Sequence, residues 1–371
     1  MGTAVAVDLA RDPLVARVQV CEAQPATLRA FRAEHASPDL RTYEADARDA
    51  GSLEPIVAGS AVVVSCVGPE HSARLARLAL DLGAHFVDLN GAMDDDALPE
   101  LAERRQRWVV TGCGLAPGLV GVLAMEAVEA MEDARAVRIR VGDVPITPPE
   151  PFRHRLAHSA DRLLDDYTRP APVLRDGRQE TREPMTGLES VEVDGFGTME
   201  AFYTGGGLGS LADALAGRVQ SLDIKTIRYP GHAERMRFVL DLGLAEKQSL
   251  DVRTHLTYRD VLTRRLRQRL GGAYDDAVLL RIEVDGTRDG QDGTLVLEMV
   301  DRCKPEDGLT AMQRCTGFPA ATAAVMLGQR TLSGGGVGAA DQVLPRGPFL
   351  GRLDARGIAA QRHWTPRADA T

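Results

Sequence analysis

Residues 225–232 (KTIRYPGH) gather, in one short stretch, side chains that could bind a carboxylate and move a proton. Arg228 could clamp the carboxylate with two parallel hydrogen bonds, and Tyr229 could orient another polar group of the same ligand. Lys225 and His232 are the candidate acid–base residues, because histidine titrates near neutrality and burial lowers the pKa of lysine. Alternatively, the two cations are solvated at the surface and the Pro-Gly pair is an ordinary turn.

A second group of candidate ligand contacts lies upstream of this stretch. Tyr203 and Thr204 precede three consecutive glycines, residues 205–207, which allow close approach of the backbone to a ligand or form a flexible loop. Asp143 ends a predicted strand and could receive an ammonium group, although carboxylates at strand ends are often simply solvated. We therefore expect Tyr203, Thr204 and Asp143 to contact a substrate.

The elements that would position a cofactor occupy about the first 115 residues. Strands are predicted at 17–22, 40–45, 61–66, 85–89 and 108–111, and helices at 25–34, 71–82 and 97–106. The unbroken apolar run at 61–66 is typical of a parallel strand buried on both faces. The alternation indicates an α/β fold with a Rossmann-type, doubly wound parallel sheet.

The amino terminus resembles the second half of a dinucleotide-binding fingerprint. Gly2 would be the last glycine of G-x-G-x-x-G, and residues 3–10 the helix behind it. Glu22, at the end of the next predicted strand, would bind the adenosine ribose and repel a 2′-phosphate, which favours NAD over NADP. The first strand and first two glycines are absent, so we expect a misassigned start. Alternatively, Gly2 is an ordinary terminal residue and Glu22 a solvated one.

Such folds bind dinucleotides at the carboxyl ends of the parallel strands. We expect the adenine beside the strand that ends near residue 45, and the nicotinamide ribose beside the strand that ends near residue 66. The remaining contacts would follow the next two strands. The predicted cofactor contacts besides Gly2 and Glu22 are Asp46, Ala47, Ser65, Val67, Gly68, Pro69, Asp88, Asn90, Gly114 and Pro117.

The pattern changes after residue 135, where period-two strands indicate a one-sided antiparallel sheet in a second, mixed α+β domain. Residues 136–141 alternate, and 277–285 with 293–300 predict a hairpin around a turn at 286–292. An apolar helix is predicted at 316–331. The predicted domains are 1–118 (dinucleotide-binding, amino-terminally truncated), 119–315 (substrate and dimerisation), 316–355 (a helical return to the first domain) and 356–371 (a frayed tail).

Composition excludes several classes of protein. The net charge of −9 argues against nucleic acid or an anionic membrane as the main partner; the basic run at 264–269 is a solvated helix face or a docking patch. Five cysteines without a CxxC pair argue against a disulfide framework and a structural zinc site, so no metal is expected. No apolar run approaches the ~20 residues of a membrane span, and we expect no signal peptide, because the first residues lack a basic region followed by an apolar core. We expect a cytoplasmic protein.

Several longer motifs occur in one order along the chain. They are residues 111–119 (TGCGLAPGL), 166–170 (DYTRP), 197–206 (GTMEAFYTGG), 225–232 (KTIRYPGH) and 316–320 (TGFPA). Together they resemble the saccharopine dehydrogenase-like family over residues 1 to about 355, and most closely its lysine-oxidising members. The missing first strand departs from the family pattern and puts cofactor affinity in doubt.

The resemblance implies a Rossmann domain, a second domain that supplies substrate contacts, and a homodimer. It implies NAD-linked oxidation of an amine carbon of an amino acid, with L-lysine converted to its 6-semialdehyde and ammonia released. Two alternatives remain open. One is a related enzyme acting on a secondary amine such as saccharopine or a carboxylated polyamine, and the other is a catalytically silent NAD-binding protein.

Overall fold

The computed structural model describes residues 1–35, 37–91, 93–251, 255–304 and 308–367. The chain forms two compact units. The first comprises Met1–Met125, Gly209–Leu211 and Gln313–Ala359, and the second comprises Glu126–Leu208, Ala212–Met312 and Ala360–Thr371. In the described part of the chain, no helix is long and apolar enough to span a bilayer.

Helices and strands alternate through the first 130 residues, as the apolar pattern predicts. They are α1 (Gly2–Arg11), β1 (Val18–Glu22), α2 (Pro25–Glu34), β2 (Leu40–Glu44), α3 (Ala50–Val57), β3 (Val62–Ser65), a 3-10 turn (Pro69–His71), α4 (Ser72–Asp81), β4 (His85–Asp88), α5 (Leu98–Arg105), β5 (Trp108–Thr111) and α6 (Leu119–Glu129). Gly83 ends the α4 region in the left-handed conformation that glycine favours.

Strands dominate the rest of the chain. The elements are β6 (Asp133–Pro145), α7 (Ala160–Thr168), β7 (Ala171–Arg175), β8 (Arg178–Arg182), β9 (Glu189–Val193), β10 (Gly197–Tyr203), α8 (Leu211–Leu215), β11 (Ser221–Arg228), α9 (His232–Asp241), α10 (Tyr258–Leu270), β12 (Asp276–Arg288), β13 (Gln291–Arg302), α11 (Ala311–Gly328), β14 (Gly336–Ala339), α12 (Ala340–Val343), α13 (Arg346–Asp354) and β15 (Gln361–Pro366).

The first unit contains two parallel sheets. One pairs β1 with β2, and the other has the strand order β14-β5-β4-β3. This architecture confirms the predicted α/β fold class, although β14 was not predicted. The expectation that the strand at 61–66 is buried on both faces was wrong: Val62, Val63 and Val64 are only partly buried, because β3 is the edge strand of its sheet. The fully buried strand is β4.

The second unit is built on one nine-stranded sheet with the main order β15-β13-β12-β6-β11-β10-β9. The sheet is mixed rather than antiparallel throughout, because β11 pairs parallel with β6. One face carries an apolar cluster with α7, α9 and α10, which includes Leu164, Phe202 and Met236. The fold therefore covers this face with helices, and residues of β6, β10 and β11 that point there lie beneath them.

Two predicted boundaries were wrong for identifiable reasons. The hairpin turn is not 286–292 but the pair Asp289-Gly290, with φ of +51° and +72°, because β12 and β13 continue pairing as far as Arg288 and Gln291. Helix α11 begins earlier than predicted, because the Asp276 carboxylate accepts hydrogen bonds from the first two backbone N–H groups, those of Ala311 at 2.6 Å and Met312 at 2.9 Å.

The carboxyl-terminal segment is also more ordered than predicted. Residues 356–371 were expected to be a frayed tail, but β15 pairs antiparallel with β13 and places Trp364 opposite Leu295. Arg362 donates to Glu126 at 2.6 Å. Within this segment, Gln361–Pro366 thus forms an edge strand of the large sheet, and residues 368–371 lie outside the described part of the chain.

Candidate functional site

The predicted cofactor residues lie at the carboxyl edges of the first unit's strands. Helix α1 begins at Gly2, and a Cβ placed on Gly2 would lie 3.5 Å from Cβ of Cys66. The helix N-terminus therefore meets the end of β3, where its free backbone N–H groups and positive dipole end favour an anion. Burial raises the pKa of the Cys66 thiol to about 12, so this cysteine is an inert packing group.

A short hydrogen-bond chain orders the loops that follow β3 and β4. Asn90 donates from Nδ2 to the Val67 carbonyl at 2.9 Å and to Oδ1 of Asp88 at 3.0 Å. Asp88 is fully buried, and this burial raises its pKa although hydrogen bonds from Asn90 oppose the rise. Asp88 therefore supports the edge through Asn90, while Val67 is exposed at the surface.

The end of β2 carries a cation that the sequence analysis did not single out. Arg48 pairs with Asp46 at 2.6 Å, and its hydrogen bonds lower the pKa of Asp46 to about 2. Arg74 donates to the carbonyl of Ala47. At the end of β1, Glu22 accepts from the backbone N–H of Gln24 at 2.8 Å. Both predicted carboxylates of the adenosine end are thus held in place locally.

A tight glycine turn follows β5. The N–H of Gly114 donates to the carbonyl of Pro117 at 3.1 Å, and a Cβ on Gly118 would lie 2.1 Å from the Gly114 carbonyl oxygen. Only glycine fits at position 118, where φ is also +132°. This turn buries Gly114 and leaves Pro117 partly exposed, so Pro117 is the residue of the two that a ligand can reach.

In the second unit, the centre of the candidate substrate site is Arg228, a residue of β11 that is buried beside β6. Its Nη1 lies 3.4 Å from Oδ1 of Asp143 and donates to the carbonyls of Asp143 and Ile227 at 3.2 and 2.9 Å. Burial alone would lower the pKa of Arg228, but Tyr167 and Asp143 raise it. Oδ2 of Asp143 is buried and has no hydrogen-bond partner in the described chain.

Behind Arg228 stands a buried tyrosine–histidine pair. Nε of Arg228 donates to the Tyr167 hydroxyl at 3.1 Å, and that hydroxyl lies 2.9 Å from Nε2 of His232. Nδ1 of His232 lies 2.7 Å from the carbonyl oxygen of Phe152. Burial and the charge of Arg228 lower the pKa of His232 to about 3. His232 is therefore a neutral imidazole with both nitrogens engaged.

Lys225 lies on the opposite face of the sheet from Arg228. The two residues are three positions apart in β11, and side chains alternate between faces along a strand. Lys225 pairs with Glu189 at 2.6 Å, donates to the Gly187 carbonyl at 2.7 Å and lies 4.8 Å from the ring centroid of Tyr203. Residues 225–232 therefore do not converge on one site as expected: the pleat separates Lys225 and Tyr203 from Arg228 and His232.

The other predicted substrate contacts are held by local hydrogen bonds. Thr204 is buried and its hydroxyl lies 2.8 Å from that of Thr226, while the Tyr229 hydroxyl donates to the Pro145 carbonyl at 2.9 Å. A Cβ on Gly206 would lie 2.8 Å from Oδ1 of Asp166. Glycine is thus needed at this position because the run packs against the end of α7.

The family models account for nearly all of the chain. The Saccharopine dehydrogenase NADP binding domain matches residues 1–110, and the Saccharopine dehydrogenase C-terminal domain matches residues 114–358. The chain belongs to the saccharopine dehydrogenase family. This result confirms the resemblance drawn from the sequence motifs and identifies the chain as a member of an oxidoreductase family.

Solved structures show that the family fold extends over the whole chain. Apo saccharopine dehydrogenase (L-Glu forming) from Saccharomyces cerevisiae is similar over 98% of both chains, with a TM-score of 0.81 at 18% identity. Homospermidine synthase from Legionella pneumophila, solved in complex with NAD, is similar over 97% of this chain and 89% of its own, with a TM-score of 0.64 at 12% identity. Both confirm the architecture.

Within this family member, sequence reasoning missed two buried residues beside Arg228. Tyr167 lies in a motif that supported the resemblance, but nothing in its spacing linked it to residue 228. His154 is buried, Nδ1 of its ring lacks a hydrogen-bond partner among the described residues, and its ring centroid is 5.3 Å from that of His232. Burial lowers its pKa well below the usual value. His154 lies in a loop, where no periodic sequence pattern indicates that a side chain is buried.

Proposed function

We propose that this protein is an NAD-dependent amino-acid dehydrogenase that oxidises the terminal amine carbon of L-lysine, giving the 6-semialdehyde and ammonia. The observation that supports the proposal is the buried Arg228–Asp143 pair. It presents one cation and one anion with an unpartnered oxygen on the same face of the sheet.

A neutral ion pair suits a zwitterion better than a simple anion. Arg228 would bind the α-carboxylate through a charge-assisted hydrogen bond, and the free Oδ2 of Asp143 would accept from the α-ammonium group. Removal of an amino acid from water is compensated only if both of its charges are paired. An isolated arginine would select carboxylates in general, whereas this pair selects an amino acid.

For the redox step, NAD bound at the carboxyl edges of the first unit would accept the hydride. The chain's own residues would bind and orient the amino acid, and water would then hydrolyse the resulting imine to the aldehyde and ammonia. The geometry does not favour either predicted acid–base residue. His232, with a pKa of about 3, is too weak a base to deprotonate an alkylammonium of pKa about 10, and Lys225 lies on the other face of β11, paired with Glu189.

We propose NAD rather than NADP as the cofactor. The support is Glu22 at the end of β1, whose carboxylate would repel a 2′-phosphate. Arg48 could instead attract such a phosphate, but its charge is already balanced by Asp46. Glu22 therefore favours NAD and Arg48 favours NADP, so variants of the two residues should change the cofactor preference in opposite directions.

We also propose a cytoplasmic homodimer. All five cysteines are free thiols, which suits a reducing compartment. Six exposed large apolar side chains occur along the chain from α9 to the start of α10, and they support association with a second copy: Phe238, Leu242, Leu250, Leu256, Tyr258 and Val261. Other exposed large apolar residues of the described chain are scattered, so the matching counterpart of this surface is the same surface on another copy.

NADH formation followed by absorbance tests the activity. L-Lysine with NAD is expected to give NADH together with stoichiometric ammonia, whereas L-norleucine, which lacks the terminal amine, is expected to give none. NADH from saccharopine and not from lysine would favour the secondary-amine alternative. Calorimetric NAD binding without turnover of either compound would favour a silent NAD-binding protein.

A further inference from the structure

We propose that Tyr167 and His232 are positioning residues that aim the Arg228 guanidinium at the substrate carboxylate, with His232 locked as the neutral tautomer that carries its proton on Nδ1. The predicted effect on lysine binding rests on the proposed function. The tautomer of His232 is inferred from the hydrogen-bond geometry alone.

The Phe152 carbonyl decides the direction of the hydrogen bonds. A carbonyl oxygen only accepts, so Nδ1 of His232, 2.7 Å away, must donate. A neutral imidazole has one N–H, which makes Nε2 the acceptor of the Tyr167 hydroxyl proton. The Tyr167 oxygen is then free to accept from Nε–H of Arg228. The result is one polarised chain from Arg228 to the Phe152 carbonyl.

The surroundings keep the imidazole neutral. His232 is fully buried, its ring stacks on Phe202 with an interplanar angle of 12°, and the charge of Arg228 further disfavours an imidazolium. A protonated ring would donate from both nitrogens, and the Tyr167 hydroxyl would have to turn its proton towards another acceptor. Neutral His232 therefore provides the acceptor for the Tyr167 hydroxyl proton and leaves the Tyr167 oxygen to accept from Arg228.

The chain binds two of the three guanidinium nitrogens and leaves the third. Nε is bound to Tyr167, and Nη1 to Asp143 and the Ile227 carbonyl. Among the described residues, Nη2 makes no hydrogen bond, so it is the donor that remains for a carboxylate. Without Tyr167, rotation about the last torsions of Arg228 would change where Nη2 points, and a productive orientation would be populated less often.

Matched variants test the positioning role. Tyr167→Phe and His232→Leu should each raise KM for lysine by about 10- to 100-fold, the effect of losing a hydrogen bond to a charged group, with kcat changed less than about threefold and NAD affinity unchanged. His232→Gln should recover much of the loss, because its amide oxygen can accept from Tyr167. Ser190→Ala, at an exposed residue of β9, controls for loss of a hydroxyl.

Unchanged KM in folded Tyr167→Phe protein, or equal effects of His232→Leu and His232→Gln, would overturn the positioning role. Nitrogen-15 NMR gives a readout independent of turnover. The His232 signals are assigned as those missing from the spectrum of His232→Gln, and at pH 7 they should show the pattern of a neutral ring protonated on Nδ1. The Arg228 Nε–H should exchange with solvent slowly in the wild type and rapidly in Tyr167→Phe. A charged ring, or a ring protonated on Nε2, would overturn the hydrogen-bond chain from Arg228 to Phe152. A ring protonated on Nδ1 in a protein that does not turn over lysine would contradict only the proposed function.

Discussion

At the scale of the residue, the second unit's site depends on charges that are buried with incomplete partners. Arg228 and Asp143 could be selected from the sequence as candidates, because a cation and a carboxylate at strand ends could bind a zwitterion. Their support could not, because Tyr167 and His232 come from α7 and α9 and meet only after the sheet and helices pack. Sequence spacing also suggested that Lys225 shares this site, but the pleat of β11 places it on the other face.

Replacement of Arg228 by alanine should weaken amino-acid binding without affecting the nucleotide. Loss of one member of a buried charge pair costs about 2–4 kcal/mol, equivalent to an increase in KM for lysine of roughly 30- to 1,000-fold. Steady-state kinetics and NAD calorimetry would measure both quantities, with the solvated Arg264→Ala as control. An unaltered KM for lysine would remove Arg228 from the substrate site.

Glu22 should determine the cofactor preference. Glu22→Ala removes the charge that repels a 2′-phosphate, so the ratio of kcat/KM for NAD to that for NADP should fall by about tenfold or more. Arg48→Ala should shift the ratio the other way. Glu34→Ala, on the exposed end of α2, serves as the control. If the ratio of kcat/KM for NAD to that for NADP is unchanged in both Glu22→Ala and Arg48→Ala, neither residue contacts the ribose.

At the scale of the element, the hairpin of β12 and β13 shows why glycines mislead a sequence prediction. Gly286 suggested the start of a turn, but it is paired with Gly293 within the sheet. A Cβ on Gly286 would lie 2.1 Å from the Asp133 carbonyl oxygen, and one on Gly293 would lie 2.5 Å from that of Thr365. These glycines permit close approach of neighbouring strands, a demand that involves residues far away in sequence. The strand alternation itself was predictable because burial imposes its period.

The charged face of the same sheet, formed by Arg138, Glu283, Asp285 and their neighbours, should make the protein sensitive to acid. Burial alone would raise the pKa of Glu283 and Asp285, but hydrogen bonds from Arg138 lower both below their usual values. The folded protein therefore holds these protons less tightly than the unfolded chain. The resulting stability is complete above the ordinary carboxyl range near pH 4 and is lost as the pH falls through the folded pKa values.

Arg138→Gln should thus move the midpoint of acid unfolding to higher pH, by on the order of half a unit, as followed by circular dichroism. Arg105→Gln breaks a pair with Asp81 whose side chains are 44% and 59% exposed, and should leave the midpoint in place because exposed pairs contribute little. Equal midpoints for wild type and Arg138→Gln would show that the network stabilises nothing.

At the scale of the whole molecule, the alternation of the first 115 residues was enough to predict the Rossmann-type unit. The composition of the chain could not reveal that β15 belongs to the second unit. Strand β15 shows the difficulty. Its residues are polar and mostly exposed, so it has no apolar pattern, and pairing with β13 through the backbone is what orders it.

The exposed apolar residues from α9 to the start of α10 should determine the oligomeric state. Phe238→Ser combined with Leu242→Ser removes two side chains that are 67% and 60% exposed, so the folded monomer should lose little stability. Sedimentation at micromolar concentration should show a dimer for the wild type and a monomer for the double variant. Leu14→Ser, at an isolated exposed leucine, should leave the dimer intact. A monomeric wild type would contradict the proposal.

The discontinuous first unit also has a consequence for the order in which a ribosome makes the chain. The indole of Trp108 in β5 donates to the carbonyl of Ser333, 225 residues later, and β14 then pairs with β5. At about 5–20 residues per second, the free edge of β5 is exposed on the nascent chain for on the order of ten seconds or more. Unpaired strand edges are where other chains add, so slower synthesis or a chaperone that covers β5 should control how much newly made protein reaches the native state.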